Sequence, residues 1–144
     1  MGQQQLLLVI LVTIIVGIAT VVAINTFSSA ADSANIDAVR QDVASIAAAA
    51  QGYYMKPKML GGGGKEFDNL TFKGMAIPGN IDASSNSIIT NQNGTYEITS
   101  ASGDELKVTA TPSSIKGYTA GESANEADGA LFVTIKPNDM VWGS

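Results

Sequence analysis

The sequence predicts an α+β chain: a long N-terminal α-helix, about residues 2–51, packed on a small antiparallel β-sheet head. Three observations predict it. Leu6 to Ile24, LLLVILVTIIVGIATVVAI, is nineteen residues without a charge, and the first charged side chain of the whole chain is Asp32. That run meets the length of a bilayer-spanning helix, about 20 residues at 1.5 Å each. From Ala34 the pattern becomes amphipathic, with Ile36, Val39, Val43, Ile46, Ala47 and Ala50 at three- and four-residue steps. After residue 66 the chain breaks into short β-type runs separated by Gly, Pro and Asn turn signals.

Met1 to Gln5 is MGQQQ, polar and free of charged side chains. It lacks the basic flank of a secretory signal, and the apolar run behind it is longer than a typical signal core. The first half of the helix, residues 1–27, is apolar all round and demands cover on every side. Gly17 interrupts it at a cost of about 1 kcal/mol relative to alanine. It reads either as a small residue for close helix approach or as a point where the helix stretches. The second half, residues 28–52, has one apolar stripe, with Asp32, Asp37, Arg40, Gln41, Asp42 and Ser45 on the other face. Gly52 is the expected C-cap, and Pro57 bars continuation. This gives a helix of roughly 75 Å and two parts, 1–52 for the helix and 53–144 for a β-rich head.

Tyr53 to Lys65, YYMKPKMLGGGGK, reads as a connection whose four glycines form a flexible turn. It lacks the GxxxxGK followed by Ser or Thr of a phosphate-binding loop. Phe67 to Phe72 is expected to start the sheet layer. Ser87–Thr90 and Thr95–Thr99 flank Asn93-Gly94, a strong hairpin signal. Leu106, Val108 and Ala110 alternate with Lys107 and Thr109, as a half-buried antiparallel strand requires. Ser113 to Gly129 reads as a polar surface loop, and Leu131–Ile135, ended by Pro137, as the last strand. Trp142 is expected to cover the core of the head or to meet a neighbouring subunit.

Composition narrows the chemistry. The chain has no Cys and no His, which excludes zinc sites built on them, thiol nucleophiles and Ser-His triads. No disulfide staples the head. Net charge is −5, and the eight basic residues are dispersed, so no nucleic-acid-binding surface is evident. Asp104 with Glu105, and Glu126 with Asp128, lack calcium-loop spacing and read as solvated carboxylates. No catalytic, cofactor-binding or metal residues are expected, and the chain does not read as an enzyme.

The apolar helix, its amphipathic continuation and the small antiparallel sheet together resemble a type IV pilin or pilin-like filament subunit. The resemblance implies an extracellular filament at the cell surface, built as a helical homopolymer of identical subunits. The subunit would lie in the inner membrane before assembly, and a prepilin peptidase and the pilus assembly machinery would act on it. It implies N-terminal processing and methylation, at Met1 if that is the mature N-terminus; cleavage after Gly2 would instead make Gln3 first and Leu7 fifth, a worse fit. The family carries a glutamate at the fifth mature position, where this chain has Gln5. Glutamine accepts a hydrogen bond from a neighbour's amine without neutralising its charge. The residues expected to carry assembly are Gln5, Leu6, Leu7, Leu8, Ile10, Leu11, Ile14, Ile15, Gly17, Ile18, Val21, Ile24 and Phe27. Two other readings share the spanning helix: a pseudopilin of a type II secretion system, and a membrane-tethered binding module that never polymerises. The amphipathic extension weighs against the last, because a flexible linker would serve a simple tether.

Overall fold

A computed structural model of the chain describes residues 2–115 and 129–143. It has one α-helix, α1 (Gly2–Met55), and a six-stranded sheet of β1 (Asn80–Ile81), β2 (Ile88–Thr90), β3 (Gly94–Ser102), β4 (Glu105–Pro112), β5 (Leu131–Lys136) and β6 (Asp139–Trp142). The predicted fold class, a long N-terminal helix with an antiparallel sheet, is the observed one. The chain divides into two compact units, Met1–Ala34 and Asn35–Ser144.

The first unit is helical over its described residues. Its threonine hydroxyls are returned to the helix itself. Thr13, Thr20 and Thr26 donate to the carbonyls of Val9, Val16 and Val22 at 2.7, 2.8 and 2.9 Å. A helix that satisfies its own polar groups is the form a chain takes where water is absent.

In the second unit the strands follow one another in sheet order, each antiparallel to its neighbour, so the sheet is a simple meander. One bulge, between Ile98 and Ser100, interrupts the long β3–β4 ladder. The amphipathic stripe of α1 is buried as its spacing predicts: Val39, Val43, Ile46, Ala47 and Ala50 enter one core with Ile89, Tyr96, Leu106, Val108, Ala110, Val133 and Ile135 of the sheet.

Four sequence expectations need correction. The helix ends at Met55 rather than near Gln51, and Gly52 lies inside it. Tyr53 and Tyr54 pack against the core, and the Tyr54 ring lies 4.9 Å from that of Phe67, so tertiary contact carries the helix past its glycine. The four glycines form a bonded structure instead of a flexible turn. Gly63 and Lys65 donate backbone hydrogen bonds to the carbonyls of Tyr53 and Tyr54 at 2.9 and 2.8 Å, and Gly64 to that of Lys56 at 2.9 Å. These bonds satisfy carbonyls that the end of a helix otherwise leaves open.

Phe67 to Phe72 forms no strand. It is a turn followed by a 3-10 turn at Phe72–Gly74, and its uneven apolar spacing serves to drop Phe67, Leu70, Phe72 and Met75 into the core. Finally, β5 is not the last strand. Pro137 and Asn138 turn the chain back into β6, with Lys136 opposite Asp139.

The Asn93-Gly94 hairpin is present, but for a different reason than turn conformation. Gly94 already belongs to β3, opposite Pro112, where a Cβ would run into the backbone of Thr111. The turn itself is shaped by Asn91, whose side-chain oxygen accepts from the backbone N–H groups of Asn93 and Gly94 at 2.9 and 3.0 Å.

Candidate assembly surface

The residues expected to carry assembly all lie on α1 within the first unit. Leu6, Leu7, Leu8, Ile10, Leu11, Ile14, Ile15, Ile18, Val21 and Ile24 keep about half to two-thirds of their surface uncovered, and Phe27 keeps 78%. Nothing lies within 4 Å of where a Cβ at Gly17 would stand. On one face Ala19, Thr20 and Ala23 leave a shallow surface beneath the larger Val16, Ile24 and Phe27. Small residues at such spacing let a second backbone come close. Gln5 is exposed at the start of this surface. Met1 lies outside the described residues. The helix is long and apolar enough to cross a membrane, and it carries an exposed apolar surface far larger than a soluble monomer leaves in water.

Compared with models of protein families, with curated proteins and with solved structures, the chain finds no match.

A second constellation was missed by sequence patterning. Asp42 falls on the polar side of the helical stripe, yet it is half-buried, and one of its oxygens, Oδ2, accepts three hydrogen bonds. Tyr96 Oη donates at 2.6 Å, Asn91 Nδ2 at 2.8 Å and Asn93 Nδ2 at 2.8 Å. Burial pushes the carboxyl up, but the bonds from Tyr96, Asn93 and Asn91 outweigh it and hold its pKa below the ordinary value. Burial, and then the bond to Asp42, pushes the Tyr96 hydroxyl far above its ordinary value. The anion is therefore the stable form here, and neither group is poised for proton transfer near neutrality. Asn35 adds a further tie between α1 and the sheet side of the unit, donating to the Asn93 carbonyl at 2.8 Å and accepting from the Ser114 N–H at 3.1 Å. The sequence signal for this node is three amide or hydroxyl side chains, Asn91, Asn93 and Tyr96, bracketing a tight hairpin.

Three other carboxylates among the described residues have partners of their own. Asp104 accepts from Tyr54 Oη at 2.7 Å, Glu105 meets Lys136 at 3.4 Å, and Glu66 meets Lys58 at 2.8 Å. Glu126 and Asp128 lie outside the described residues. Among the described residues no three of Asp, Glu, His or Cys gather as metal ligands. Trp142 sits in β6 opposite Val133, partly exposed. With Ala44, Leu131, Phe132 and Met140 it lines an open hollow of about 780 Å³, rimmed by Arg40.

Proposed function

We propose that this chain is the structural subunit of an extracellular filament of the type IV pilus kind, polymerising through its N-terminal apolar helix. One observation carries the reading: every residue of the uncharged run from Leu6 to Phe27 is exposed and none is buried, with its threonine hydroxyls bonded back into the helix. Such a surface is compatible with lipid before assembly and with a bundle of identical helices afterwards. The continuation of the same helix to Met55, with its last third entering the core of the second unit, supports a load-bearing subunit over a tether. On this reading Gln5 accepts a hydrogen bond from the terminal amine of a neighbouring subunit. Head-to-tail repetition that does not close makes the filament helical.

Electron microscopy of sheared cell-surface material, with antibody raised to residues 66–115, tests it. Thin fibres decorated along their length are expected. Antibody confined to the membrane fraction, with no decorated fibre, would overturn the proposal in favour of a membrane-tethered module.

A further inference from the structure

The chain carries two Asn-x-Thr triplets, Asn69-Leu70-Thr71 and Asn93-Gly94-Thr95. This is the acceptor pattern for N-linked sugar, which needs a surface position on a chain that leaves the cell. The fold treats the two differently. Asn93 gives its side-chain amide to Asp42, Gly94 is buried against β4, and the Thr95 hydroxyl is paired with that of Thr90 at 3.3 Å. A sugar on Asn93 would take a donor from Asp42 and claim space that the node fills. Asn69 is exposed at the corner of a turn closed by the Leu70 N–H on the Phe67 carbonyl at 3.1 Å. Its φ of 60° lies in the left-handed region that asparagine tolerates at turns. Beside it is a hollow of about 300 Å³ bordered by Tyr53, Gly62, Gly63, Glu66 and Asp68. That is the lower end of the size range for small-molecule sites, about 300–1,000 Å³. Glycine backbone and one tyrosine ring face it, with Asp68 and the Lys58–Glu66 ion pair, 2.8 Å, at the edge, a setting that suits a single sugar ring.

We infer that Asn69 is an N-glycosylation site, its first sugar resting in the hollow beside Tyr53. The donor class is an oligosaccharide linked through pyrophosphate to a membrane lipid, and the catalyst is a membrane oligosaccharyltransferase. Asn69 Nδ2 forms a bond to the anomeric carbon of the reducing-end sugar. The bond from that carbon to the pyrophosphate oxygen breaks, the lipid pyrophosphate leaves with the electron pair, and the amide proton passes to a base of the transferase. The inference rests on the proposed extracellular placement, since donor and enzyme act across the membrane from the cytoplasm.

Trypsin isolates the site cleanly, because Lys65 and Lys73 bound the peptide Glu66–Lys73. The full-length protein is recovered from the cells that make it, digested, and fragmented by electron transfer. A sugar mass is expected on Asn69, none is expected on Asn93, and N69Q should bring the intact mass down to that of the bare chain. Recovery of Glu66–Lys73 wholly bare, or carrying only the aspartate of amide hydrolysis, overturns the inference, as does a glycan on Asn93 instead. The same preparation examined for fibres separates the two ideas. Decorated fibres with a bare peptide remove the glycan alone, and a glycosylated chain without fibres removes the filament alone.

Discussion

Asp42 shows how one side chain can be misplaced by periodicity and still be central to a fold. Its position on the helical wheel assigns it to solvent, because the stripe of Val39, Val43, Ile46 and Ala50 points elsewhere. Only the hairpin, brought to the helix by the sheet, supplies the three donors that hold it, Asn91 and Asn93 from its turn and Tyr96 from β3. No spacing rule within the helix contains that information. The expected consequence is measurable. D42A leaves three donors without their acceptor and should cost about 2 kcal/mol, within the range for bonds to a charged group. The sign of the pH dependence follows from the lowered carboxyl pKa. The carboxylate's contribution is fully present above its unfolded value, about 3.9, and is lost as pH falls through the lower folded value. In urea titrations of the detergent-solubilised chain, the wild type should lead D42A near neutrality, and the gap should narrow in strong acid as the charge-linked part is lost. A gap that stays constant down to about pH 2 would show that the charge contributes nothing.

At the scale of elements, the stripe of α1 and the alternation of Leu106, Lys107 and Val108 in β4 were legible because each is a local pattern with a local cause. The alternation fails at Thr109, which is buried, and Gly94 of the hairpin is fixed by the distant backbone of Thr111. The segments that were not legible are those whose conformation is set by distant groups. The four glycines read as a flexible turn because nothing in YYMKPKMLGGGGK reveals that their amides bond the carbonyls of Tyr53, Tyr54 and Lys56. Phe67 to Met75 contributes four core side chains without regular spacing, and β6 hides behind a proline. The two accounts of the glycines predict opposite signs. In a flexible turn, glycine-to-alanine changes stabilise by about 0.4–1 kcal/mol through the unfolded chain. Here a Cβ at Gly62 would meet the backbone of Lys56, and one at Gly63 the backbone of Glu66. G62A and G63A should therefore each destabilise by roughly 1–3 kcal/mol. G61A meets no atom but must hold a φ of 76°, so its cost should be smaller, about 1 kcal/mol. Thermal unfolding followed by circular dichroism ranks the three. A rise in melting temperature for G62A or G63A would restore the flexible turn.

At the scale of the whole molecule, two kinds of surface demand two kinds of partner. The second unit covers its own stripe of α1 with its own sheet, so its stability is an internal matter. The first unit has no side chain of its own to cover Leu6–Ile24, and the apolar run makes burial elsewhere obligatory. The sequence alone made that demand visible, since it needs only composition and length. What covers the surface depends on other molecules, and on the filament reading they are further copies of the same helix. A charge at the middle of the run separates this from a plain membrane anchor. I14R places an arginine where each neighbouring helix would be apolar. In the bilayer its cost is about 2.5–3.5 kcal/mol, offset in part because the long side chain reaches toward the interface. In a dry bundle the same charge has no such route, and its desolvation costs several kcal/mol for each subunit added. The mutant chain should accumulate in membranes with its second unit folded, shown by an unchanged near-ultraviolet dichroism spectrum, while cells carry no decorated fibres. Fibres at wild-type number on I14R cells would mean that Leu6–Ile24 is not the buried core of the assembly.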